Sequence, residues 1–100
     1  MDELRRLWRE HREAEYPEGY RDKDVAGVAL IRLDADIAGC VSFALGGGRL
    51  DPERAKILEG CSRDAVVVTR ELSGPARDYF ERLKRMATIV LEANGRRRAV

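Results

Sequence analysis

Histidine occurs once in these 100 residues, cysteine twice and proline three times, and aromatic side chains make up only 6%. A single histidine, His11, excludes a histidine-rich metal site and a redundant proton relay. Cys40 and Cys61 are too few for a secreted disulfide scaffold and lack Cys-x-x-Cys spacing. Two buried, reduced thiols in a cytoplasmic protein are the expectation. No apolar run approaches the ~20 residues needed to cross a bilayer, and the charged N-terminus offers no apolar leader, so no membrane association is expected.

A dominant charge is also missing. Nineteen basic residues face 18 acidic ones, so no whole-molecule field draws in nucleic acid or an anionic surface. The hydrophobic share of 44% suffices for a core, and the charged share of 37% suits helices with solvated outer faces. The length allows one domain, residues 1–100.

What is present reads as a mainly α fold with four helices. Leu4, Leu7, Trp8 and His11 recur at helical spacing from Asp2 to about Ala14, and Tyr16-Pro17 ends the helix. Residues 17–24 are a polar connection. Residues 25–33, aliphatic and β-branched, predict a strand or a short hairpin bending near Gly27. Asp34 then reads as the N-cap of a helix to Leu45, with Asp36 in its first turn and Gly46-Gly47-Gly48 beyond it.

Asp51-Pro52-Glu53 is the clearest helix start: a capping carboxylate, proline at the first position, an acid near the dipole. Ile57, Leu58, Cys61, Ala65, Val68 and Leu72 continue the stripe, so Val66-Val67-Val68-Thr69 reads as helix rather than strand. A turn at Ser73-Gly74-Pro75 leads to a fourth helix ending near Ala93, with Asn94-Gly95 as stop signal and Arg96 to Arg98 at the negative dipole end. So short a connection predicts a long antiparallel helical hairpin.

Several motifs suggest chemistry. Ala29 to Asp36, a hydrophobic run closing on Asp-x-Asp, resembles the first motif of haloacid-dehalogenase-type phosphotransferases. That resemblance implies Asp34 as nucleophile, Asp36 as acid/base and both as magnesium ligands. It covers about eight residues, however, and the chain lacks the length for that family's sheet. Capping and dipole roles account for both aspartates. Gly46-Gly47-Gly48-Arg49 lacks the Lys-Ser/Thr of a phosphate loop and reads as an interhelical turn. Residues 76–100 hold seven basic side chains against three acidic ones, a modest surplus with few aromatics, so nucleic acid is not the expected partner.

Asp34 to Ser42, Gly48 to Asp51 and Gly74 to Leu83 together are similar to a family of small uncharacterised proteins of GC-rich bacteria, as is the preference for arginine over lysine. The similarity implies neither an activity nor site residues. The expectation is therefore a non-enzymatic, self-associating or protein-binding domain without a cofactor. Val66, Val67, Ile89 and Leu91 flank filled stripes and are its candidate interface. Asp34, Asp36 and His11 are the candidates for a small ligand or enzyme site, and the basic C-terminal helix for nucleic acid.

Overall fold

The computed structural model describes residues 2–98, with side chains through residue 95. Four helices and one small ribbon follow in order: α1 (Asp2–Glu13), β1 (Asp24–Val25), β2 (Val28–Ala29), α2 (Leu30–Leu45), α3 (Pro52–Glu71) and α4 (Gly74–Arg98). The mainly α architecture, the helical hairpin of α3 and α4, and a β element near residue 25 are all present.

Local chemistry explains the boundaries. Asp51 accepts a hydrogen bond from the Arg54 backbone N–H at 2.7 Å, and Pro52 occupies the first turn where no amide partner is needed. At the end of α2, Gly47 takes φ +90°, while the Gly47 and Gly48 amides donate back to Ala44 and Phe43. That paired pattern is a Schellman stop. Residues 66–69 are helical, and the buried Thr69 hydroxyl donates to the Ala65 carbonyl at 2.9 Å.

Two boundaries depart from the sequence expectation. The β element is shorter than 25–33: Asp24 pairs with Ala29 and Val25 with Val28, around a turn with positive φ at Ala26 and Gly27. That is the mirror-image turn favoured by two-residue hairpins. The next residue already starts α2, so Asp34 lies inside the helix and caps nothing; Ala29 holds the cap position with no side-chain bond. The reason is the stripe Leu30, Leu33, Ile37, Cys40 and Val41, all buried, which is helical from its first member. Similarly, α4 runs through Asn94-Gly95 to Arg98. Asn94 is 7% exposed, so its turn belongs to the buried face instead of marking a stop. The side chains of Arg96 to Arg98 lie outside the described residues.

One cluster of buried side chains joins the helices, with Phe80, Leu83, Met86 and Ala87 of α4 at its centre. Helices α2, α3 and α4 pack against one another, whereas α1 lies against α4. The extents are 43 × 26 × 18 Å. A helix with its side chains is about 10 Å across, so the shortest dimension holds only two layers. Each helix therefore keeps an outward side.

Candidate functional site

Two of the three candidate ligand residues meet. His11 of α1 and Asp34 of α2 approach to 3.0 Å (Nε2 to Oδ1), and the Tyr79 hydroxyl of α4 donates to the other oxygen, Oδ2, at 2.6 Å. One carboxylate thus ties three helices together. The surroundings are aromatic: the His11 ring lies 6.0 Å from Trp8 and 4.9 Å from Tyr79, and Tyr16 meets Tyr79 and Phe80 edge-on.

This cluster has the parts of an acid/base site but not the access. The His11 side chain is 9% exposed and that of Asp34 15%. The other imidazole nitrogen, Nδ1, is buried without a hydrogen-bond partner. In a carboxylate–histidine dyad that works on a substrate, the nitrogen away from the carboxylate must reach it. Here that nitrogen is sealed. Burial, followed by the hydrogen bond to Asp34, raises the Tyr79 hydroxyl well above its ordinary pKa, so it remains a proton donor at any physiological pH. The arrangement suits structural pinning of α1.

Asp36 goes elsewhere. It reaches Arg32 at only 4.0 Å across a largely exposed surface and, with Asp64, lines an open cleft of about 460 Å³ between the ribbon, α2 and α3. Among the described residues, no group of three or more histidine, cysteine or carboxylate side chains is placed to hold a metal ion. The two thiols are free and buried. Burial raises both, Cys61 to about 11, so neither is poised as a nucleophile.

The surface between α2 and α3 carries what sequence reasoning missed. Phe43 is 38% exposed and Ile57 46% exposed. The Arg54 guanidinium sits 4.3 Å from the Phe43 ring centre, and Asp51 holds that arginine through a 2.7 Å ion pair. On the other side, Gly48 leaves its Cβ position empty, and the Phe43 ring occupies that space. Phe43 is therefore clamped in place while still facing solvent. Ile57 lies one turn along α3 from Arg54, so the two apolar side chains share one end of the α2–α3 seam. Counting Ile57 with the buried stripe hid this. The only available signal was that Phe43 falls outside the stripe of its own helix.

The expected interface residues differ in exposure. Val67 is 42% exposed, but Val66, its neighbour and ~100° around the helix, is half-buried. Ile89 and Leu91 are partly buried against the core. The basic side chains of α4 among the described residues are also engaged: Arg85 makes a two-pronged pair with Glu3, Arg82 approaches Glu10, and Arg77 and Lys84 meet Glu81. No helix among the described residues is long and apolar enough to cross a membrane. No protein-family model, curated protein or solved structure matches this chain.

Proposed function

We propose that this chain is a non-enzymatic interaction domain of the cytoplasm that docks a protein partner on the α2–α3 seam. The clamped yet exposed Phe43 beside the exposed Ile57 carries the reading. Rigid aromatic anchors with a neighbouring arginine are the side chains that dominate binding energy at protein interfaces. Holding Phe43 between Gly48 and Arg54 removes rotamer freedom before binding, which lowers the ordering cost of association. The polar convergence that would argue for catalysis is instead consumed internally, with His11, Asp34 and Tyr79 bonded to one another.

The test is photo-cross-linking in living cells with Ile57→p-benzoylphenylalanine. A discrete adduct is expected, lost when Phe43→Asp is added and absent when the probe replaces Arg5 on the exposed side of α1. Adduct formation equal at both probe positions overturns the reading.

A further inference from the structure

Three glycines, Gly39, Gly60 and Gly95, lie inside helices where a Cβ would have room, and the first two share one face of the molecule, the α2–α3 seam. A Cβ at Gly39 of α2 would meet nothing within 4 Å, and one at Gly60 of α3 would meet only an Arg63 nitrogen at 3.8 Å. Neither has positive φ. Glycine is among the least favourable residues in a helix interior, so an intramolecular account leaves both unexplained. Each precedes a cysteine, Cys40 and Cys61, that belongs to the common core, and Gly39 is exposed while Gly60 is half-buried. The middle of the α2–α3 seam is therefore bare backbone turned towards solvent, where another helix can approach closely.

The two ends of the same seam carry opposite charge. At the cleft by the ribbon, Asp36 and Asp64 outnumber Arg32, a balance of −1. At the Phe43 end, Arg54 is already paired with Asp51, and Arg49 enters no such pair. Among the described residues, Asp64 and Arg49 enter no ion pair within the chain. A face with an unpaired acid, Asp64, towards one end and an unpaired base, Arg49, towards the other is complementary to itself when turned end for end.

We infer that a second copy of this chain docks on the seam about a two-fold axis near Gly39 and Gly60, placing the acidic end of each protomer against the basic end of its partner. This rests on the reading of the seam as a docking face and names its occupant. Phe43 and Ile57 of one protomer then pack beside the ribbon cleft of the other. Because the contact is isologous, it closes at a dimer.

Sedimentation velocity of the purified chain up to about 200 µM tests this, since an interface of ordinary size associates well below that concentration. The wild type is expected to run as a dimer. Asp64→Lys and Arg49→Glu, both at exposed positions, should each leave a monomer with an unchanged circular dichroism spectrum. Mixing the two variants in equal amounts should restore a heterodimer, because one contact becomes Lys to Glu and the other keeps the native pair. Gly39→Gln should weaken the dimer at least about tenfold, while Gly95→Gln on α4 should not. A wild-type dimer whose two variants fail to rescue one another overturns the antiparallel arrangement. A monomeric wild type overturns self-association; if the Ile57 probe still forms its adduct, the docking face stands with a different partner, and if it does not, both fall.

Discussion

At the scale of single residues, Asp34 is a polar side chain that joins three helices. Its two oxygens serve two helices, so Asp34→Ala leaves His11 and Tyr79 without partners in a largely dry site. Stranding buried polar groups costs about 1–3 kcal/mol each, and we expect a total loss of about 2–4 kcal/mol in urea unfolding. Tyr79→Phe removes one donor and should cost about 1 kcal/mol. A double-mutant cycle of His11→Ala with Asp34→Ala should show strong coupling, because the two groups share one interaction. The thiols give a pH signature. Cys61 ionises near 11 when folded against an ordinary 9.0, so the native state holds its proton longer than the unfolded chain. Its contribution to stability is complete below pH 9 and is lost as pH rises through about 11. Unfolding in urea at pH 8 and pH 10.5 should show the decline, and Cys61→Ser should make it shallower, the remainder coming from Cys40 and Tyr79, which burial raises as well. The sequence offered His11 and Asp34 as candidates but neither their pairing nor the part of Tyr79. His11, Asp34 and Tyr79 are separated by 23 and 45 residues, and Asp-x-Asp after an aliphatic run has several local explanations.

At the scale of elements, legibility follows how local the determining physics is. The start of α3 was readable because Asp51, Pro52 and Glu53 act within one turn. The hairpin of α3 and α4 was readable because two helices joined by so few residues have one way to pack. The start of α2 was not. Ala29 to Leu33 reads locally as strand, and burial of Leu30 and Leu33 against other elements makes residues 30–33 helix. The same holds at the end of α4, where tertiary burial of Asn94 overrides a local stop signal. One prediction separates helix preference from packing. Gly39→Ala and Gly95→Ala add a Cβ into open space within helices, so each should stabilise the isolated chain by about 0.5–1 kcal/mol. Thermal or urea denaturation at sub-micromolar concentration checks this free of any contribution from association. Gly48→Ala should do the opposite, because its Cβ overlaps the Phe43 ring and forces that ring from its clamp.

At the scale of the whole molecule, thickness governs behaviour. With 18 Å in the shortest direction, the core is covered but the outer sides of α2 and α3 are not. Among the described residues, the large apolar side chains left exposed, Ile31, Phe43, Ile57 and Val67, all lie on those two helices. Of Val66, Val67, Ile89 and Leu91, which looked surplus by stripe counting, packing partly covers all but Val67, while Phe43 and Ile57, not singled out by that counting, are exposed. Phe43→Asp with Ile57→Asp should therefore shift the melting temperature of the chain by no more than a few degrees, while abolishing its adduct in cells.

The pinning of α1 also sets an order of events during synthesis. Glu3 waits for Arg85, 82 residues downstream, and His11 cannot find both of its neighbours until Tyr79 has emerged. At roughly 5–20 residues per second, that interval lasts roughly 4–16 s. Throughout it, α1 is a 12-residue helix too short to persist alone, with Leu4, Leu7 and Trp8 uncovered. Helix α1 is made before the α4 surface that covers it, so the nascent chain should bind an apolar-seeking chaperone through α1 rather than through α4.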